Sequence, residues 1–349
     1  MSALGGDRTP RGTPARDALV VVNPAAGGSP LELVDQVGGQ LVGAGFEPRS
    51  LTTADRGETV EAVCEAVGND PGGGRELALV LAVGGDGTVR AVAEGMARGT
   101  GRWPGATGAG QRHGREAPAL FVVPGGTGNS FYRALFADAP VEKALGMVLS
   151  PEHPGARLRR LDLGRLVERD LAVVLGASAG FLASVLDGAR RTPEVPGRHR
   201  YEQAALELIG HPDDLGADVR VLVDGELLVT GRLLLVALGG ARHRGGSFEL
   251  LPGSVLDDGL LDVCAIEMPS PARLGALFMA VAGGSHLGEP EVTYARGHNV
   301  VIETIGDEAT PIECDGDLMA GALPPAQWLT FDVVPGALPV WAGDPPPAG

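Results

Sequence analysis

Short apolar runs alternate with stretches of helical period through the first half of the chain. Residues 18–24 (ALVVVNP), 46–52, 77–83 and 119–124 (ALFVVP) read as strands. Residues 31–44, 59–67, 89–98 and a stretch opening at Ser130 repeat apolar positions at the spacing of a helix. Strands that are apolar at nearly every position have no face to spare for water. They belong in a parallel sheet covered by helices on both sides. Residues 99–116 show no period and carry many glycines, the pattern of a mobile surface loop.

From about residue 155 the pattern changes to alternating runs that meet at Asp-Gly pairs. Residues 218–238 and 312–319 read as hairpins, interrupted by helical patterns at 201–209 and 271–282. The fold class expected is therefore α/β: an N-terminal domain with a parallel sheet, then a β-sandwich-like second domain. The divisions expected are a disordered lead-in at 1–16, the α/β domain at 17–152, the β-rich domain at 153–334 and a Pro-rich tail at 335–349.

Composition narrows this picture. No apolar run in the 349 residues reaches the roughly 18–20 needed to span a membrane, and the first residues lack the apolar core of a secretory signal. Three cysteines, Cys64, Cys264 and Cys314, are far apart and without metal-site spacing, which suits reduced thiols in the cytoplasm. The net charge of −16, with Lys143 the single lysine, argues against nucleic acid as a partner.

Three glycine turns follow three of the expected strands: NPAAGG at 23–28, GGDGT at 84–88 and PGGTGN at 124–129. Any one of them could be no more than a tight strand-to-helix connection. Ligands of open α/β sheets, however, bind beyond the carboxyl ends of the strands, where all three turns emerge. A strand feeding a glycine turn and a helix start presents N–H groups to phosphate. Asp86 stands inside the second turn, and a carboxylate beside polyphosphate requires a divalent cation between them. Two later segments, LDDGLLDV at 256–263 and ECDGD at 313–317, are simple hairpin turns on the bland reading. On the functional one, their clustered acids (Asp257, Asp258, Glu313, Asp315, Asp317) supply a base for an attacking hydroxyl. Neither a GxxxxGK[ST] loop nor a GxGxxG fingerprint is present.

These elements, with Thr53 and GFLASV at 180–185 in the same order, resemble the diacylglycerol kinase catalytic-domain family, which includes bacterial lipid kinases and sphingosine and ceramide kinases. The resemblance covers residues 17–333 and implies ATP and Mg2+ as cofactors. It assigns ATP binding to Asn23, Pro24, Gly27, Thr53, Gly84, Gly85, Asp86, Gly87, Thr88, Gly126, Thr127, Gly128 and Asn129. Asp86 is implied to act through magnesium, and Asp317 falls where the family has its general base. A second, structural magnesium is implied at Asp258 with the carbonyls of Val255 and Leu260. Ser184 occupies the position of a substrate-holding acid. Three residues depart from the family pattern: Ser130 for an acid after GTGN, Ser184 for an acid, and Asp317 for a glutamate.

The function expected is transfer of the γ-phosphoryl group of ATP to a hydroxyl of a diacylglycerol-like lipid at a membrane surface. Alternatives are a nucleotide- or lipid-binding protein with little kinase activity, and a kinase of a soluble acceptor such as NAD. The expected location is the cytoplasm, with peripheral membrane contact through Arg190, Arg191, Arg198, His199 and Arg200 set against a merely solvated face. A homodimer is left open.

Overall fold

The computed structural model describes residues 16–24, 30–69, 76–106, 116–126, 128–150, 155–195, 199–211, 215–243, 248–319 and 321–343. Gly27, Thr127, Arg198, residues 1–15 of the expected lead-in and residues 107–115 of the expected 99–116 loop lie outside these. The first half runs β1 (Arg16–Val22), α1 (Pro30–Gly43), β2 (Phe46–Thr52), α2 (Arg56–Gly68), β3 (Glu76–Gly84), α3 (Asp86–Gly99), β4 (Ala119–Pro124), α4 (Ser130–Phe136) and α5 (Val141–Leu149). Next come β5 (Ala156–Leu166), β6 (Leu171–Val173), β7 (Gly176–Gly180), α6 (Phe181–Arg191), α7 (His199–Ile209), β8 (Ala217–Val223) and β9 (Glu226–Gly239). The chain closes with β10 (Leu261–Glu267), α8 (Pro271–Ala282), β11 (Val292–Gly297), β12 (Asn299–Thr304), β13 (Ile312–Cys314), β14 (Asp317–Leu318) and β15 (Trp328–Gly343).

Strands β2, β1, β3 and β4 pair in that order, all parallel. The chain leaves β1 towards β2 on one side and returns to β3 on the other. The order therefore reverses between β1 and β3, and such a reversal opens a crevice beyond the strand ends. The chain leaves β1 at Asn23 and β3 at Gly84, both beside that crevice. Both faces of β3 are covered, which is why its sequence is an unbroken apolar run rather than an alternation.

In the second half, strands alternate inward and outward. Val219, Val221 and Val223 of β8, Val300 and Ile302 of β12, Val263 of β10 and Phe331 of β15 enclose one core between strand faces. Strands β9 and β10 are buried on their other face too, where Leu235, Ala237, Cys264 and Ile266 pack under α6, α7 and α8. The Asp224-Gly225 and Asp315-Gly316 hairpins have positive φ at both turn residues, the geometry Asp-Gly favours. No helix among the described residues is long and apolar enough to cross a membrane.

Two expectations are corrected. Residues 335–343, expected in a tail, belong instead to β15, which runs to Gly343, antiparallel to β5 and touching β4. Leu338 and Val340 are fully buried there, and burying each contributes about 1.5–3 kcal/mol, enough to order a segment whose prolines and glycines suggested otherwise. The last strand thus returns to the first domain. Trp103, inside the expected loop, is also buried, and its indole N–H donates to Asp170 Oδ1 at 2.9 Å.

His286 is buried in the second helical core. Its Nε2 lies 3.2 Å from the Leu250 carbonyl, and Nδ1 has no partner among the described residues. Burial is the largest influence and holds its pKa below the ordinary value, against the opposing pull of the Leu250 carbonyl and Glu249. The unfolded chain binds this proton near pH ~6.5. The stability His286 supplies is thus present above that pH and lost as pH falls through the folded pKa. Wild type is expected to lose more melting temperature between neutral and mildly acidic pH than His286→Gln. Parallel melting curves for the two proteins would count against it.

Candidate active site

The second and third glycine turns interlock. The Gly125 N–H donates to the Gly84 carbonyl at 2.9 Å. A Cβ placed on Gly126 would stand 2.5 Å from Gly85 Cα, and one on Gly84 would stand 2.5 Å from Thr88 Oγ1. Glycine is required at these positions by close approach, not by a special φ. Asn129, which does have a left-handed φ of 50°, folds its amide back on Gly126, accepting from its N–H and donating to its carbonyl at 2.8 Å each. Asn129 therefore closes the turn and leaves the first N–H groups of α4 uncapped.

Asp86 caps them from the neighbouring turn. Its two carboxylate oxygens accept from the N–H groups of Ser130 and Phe131, at 3.0 Å each. One acid thereby holds the third turn against the start of α3. Ser130 fits this arrangement, since an acid in its place would add a second carboxylate beside Asp86. Thr88 is buried against Gly84. Thr53 is buried with its hydroxyl 2.7 Å from that of Thr59, so its first role is to fix the loop after β2. Asn23 and Pro24 leave β1 at the crevice.

The late acidic hairpin from the second domain lies directly on this assembly. A Cβ on Gly87 would stand 3.5 Å from Asp317 Oδ2. Arg90, one turn into α3, donates to the same Oδ2 at 2.8 Å and to the Cys314 carbonyl at 2.9 Å. The Arg90 side chain is only 8% exposed and that of Asp317 51%, so the arginine anchors and the carboxylate faces the cleft. Asp315 and Glu313 have other work. Asp315 is buried and accepts from the N–H groups of Val174, Leu175 and Gly176, while Glu313 accepts from Ser178 Oγ and the Gly316 N–H. Burial pushes the Asp315 pKa up, opposed by Arg90 and the three N–H groups. Of the acids in ECDGD, Asp317 is the one presented to the cleft.

Asp86 and Asp317 thus flank the first turn of α3. A helix N-terminus favours a nearby anion by about 0.3–1 kcal/mol. Two unit charges 4 Å apart repel by about 4 kcal/mol at an effective dielectric of 20. A polyphosphate placed here would be repelled by both carboxylates unless a cation lay between them.

Helix α6 forms the cleft's other wall. Ser184 is half-buried on it, and Arg190 Nη2 lies 3.8 Å from Asp317 Oδ1. Of the basic residues considered for membrane contact, Arg191 pairs with Asp187, His199 with Glu202, and Arg200 lies over the Tyr201 ring, while the Arg191 and His199 side chains stay largely exposed. In the 256–260 turn Asp258 pairs with Arg296 and Asp257 with Arg159, while Val255 is exposed and Leu260 donates its N–H to Asp258. Sequence reasoning missed Arg90 altogether. Its signal was an arginine four residues after Asp86 on a helix whose other face is apolar.

Comparison with known proteins shows the family and the fold. Residues 17–164 match the sequence model described as the diacylglycerol kinase catalytic domain. Residues 176–342 match the YegS C-terminal NAD kinase beta sandwich-like domain. A diacylglycerol kinase of Staphylococcus carnosus is 25% identical over 315 residues, 90% of this chain and 92% of its own. One of Staphylococcus aureus is 26% identical over 318 residues, covering 90% of each. The crystal structure of a diacylglycerol kinase from Bacillus anthracis superposes with a TM-score of 0.61 at 18% identity, over 93% of this chain and 96% of that one, a likeness of fold. The chain belongs to the diacylglycerol kinase catalytic-domain family of kinases.

Proposed function

We propose that the protein transfers the γ-phosphoryl group of ATP to a hydroxyl of a diacylglycerol-like lipid. The observation that carries this reading is Asp317, delivered by the second domain onto Gly87 in the phosphate-facing turn of the first. The glycine turns after β1, β3 and β4 receive the triphosphate, with Asn23, Thr53 and Thr88 placed around them. Magnesium, held by Asp86 and phosphate oxygens, would neutralise charge on the transferring group.

Arg90 fixes one oxygen of Asp317 and leaves Oδ1 for the acceptor. As the acceptor oxygen bonds to the γ-phosphorus, the bond to the β–γ bridging oxygen breaks and the hydroxyl proton passes to Asp317. Arg90 thereby compensates for the shorter side chain by setting its direction. Arg190 stands where it can meet phosphate charge from the lipid side.

A narrow apolar crevice of about 30 Å³ lies beneath α8, lined by Phe181, Leu234, Phe248, Leu274, Phe278 and Val281, and its walls would have to part to take an acyl chain. Phe181 opens α6, the helix that carries Ser184 and Arg190. Ser184 removes a charged anchor for an amino-alcohol head group at that position, which favours a neutral diacylglycerol over a sphingoid base. The test is labelled ATP with magnesium and diacylglycerol in mixed micelles. Labelled phosphatidic acid is expected. ATP binding with no labelled product from any lipid of a total cell extract would overturn the reading in favour of a binding protein.

A further inference from the structure

The acidic turn at 256–260 lies at the surface, and protein groups hold its backbone and both of its aspartates. The Asp162 N–H donates to the Leu256 carbonyl at 2.8 Å, and Asp162 Oδ2 accepts from the Gly259 N–H at 2.6 Å. Asp258 Oδ1 accepts from the Leu260 N–H at 3.1 Å. Both aspartates of the turn already face arginines. Arg159 grips Asp257 with two bonds of 2.9 and 2.6 Å, and Arg296 Nη2 donates to Asp258 Oδ2.

Arg296 also reaches inward. Its Nε is 3.1 Å from Oδ1 of Asp262, a fully buried acid opposite it in the β10–β11 ladder that accepts from the Tyr294 hydroxyl at 2.7 Å. A planar guanidinium with five donors can bridge two carboxylates in this way. A divalent cation on Asp258 would have to share that carboxylate with a fixed positive charge a few ångströms away. Like charges so placed repel, most strongly where water is scarce.

We infer that Arg296 is a built-in counter-ion: its guanidinium takes the place beside Asp258 that the family resemblance gives to a structural magnesium. The second domain keeps this turn folded with no metal there. Magnesium dependence of the protein then arises from the nucleotide site alone. None of this depends on which molecule accepts phosphate.

The test uses nucleotide-free full-length protein, melted in excess EDTA and in millimolar magnesium, as wild type, Asp258→Asn and Arg296→Ala. Wild type and Asp258→Asn are expected to respond identically to magnesium, any common rise reporting the Asp86 site. Arg296→Ala is expected to melt several degrees below wild type in EDTA. A magnesium-induced rise in wild type that vanishes in Asp258→Asn would overturn the inference, as would an Arg296→Ala protein as stable in EDTA as wild type. If Arg296→Ala does not fold, Arg296→Lys replaces it. Lysine replaces two spaced donor nitrogens, Nε to Asp262 and Nη2 to Asp258, with one, so its melting temperature in EDTA should again fall below wild type, and equality would again sink the idea.

Discussion

Replacing Asp317 by asparagine is expected to lower kcat by about 10²–10⁴-fold, with ATP affinity and melting temperature close to wild type. Asparagine keeps the size of the side chain and an oxygen for Arg90, but it cannot take the acceptor's proton. Alanine is the poorer choice. It would strand the nearly buried Arg90 guanidinium, whose Nε already has no partner among the described residues, and breaking a buried pair costs about 3–5 kcal/mol. Part of that penalty would be relieved here because Asp317 is half exposed. The measurement is steady-state turnover alongside a thermal melt. An asparagine variant with near-normal turnover would remove Asp317 from catalysis.

Gly126→Ala is expected to have the second largest effect. The added methyl would meet Gly85 Cα at 2.5 Å and Gly85 N at 3.2 Å, and both are backbone, with no rotamer to turn away. Overpacking of this kind typically costs about 1–3 kcal/mol. The strain falls between the two turns that face phosphate, so ATP affinity should drop at least about tenfold, which is about 1.4 kcal/mol. Gly146→Ala is the matched control. A methyl on Gly146 in α5 meets nothing within 4 Å, and alanine in a helix interior is favoured over glycine by about 0.5–1 kcal/mol. Calorimetric titration with ATP and a melt of each variant decide the matter. Equal ATP affinity in both variants would mean that the closeness of the turns is not what builds the site.

Much of the fold was legible because its cues are local. The strand at 46–52 and the helix at 271–282 have the bounds their patterns suggest, and β4 and the Asp-Gly hairpins needed only a few neighbouring residues to be recognised. The β5–β7 region was harder. Gly176–Gly180 is a strand of glycine, alanine and serine whose burial comes from β9 and β13 rather than from its own composition. The end of β15 was hidden for the same reason: nothing near residues 336–343 announces that β5 and β4 are waiting for it.

The candidate site divides along the same line. Backbone sterics and apolar period act over a handful of residues, so the sequence by itself determined that three strands end in glycine turns and that acids cluster at two later hairpins. Which charges meet was decided by tertiary structure. Arg90 on Asp317, Arg296 on Asp258, and Asp86 on the N–H groups of α4 each join groups from separate elements, and no local rule selects among the many arginines and acids of this chain. Coulomb attraction is indifferent to distance along the sequence. Only the register of the sheet and the docking of the second domain bring one particular pair within hydrogen-bonding reach.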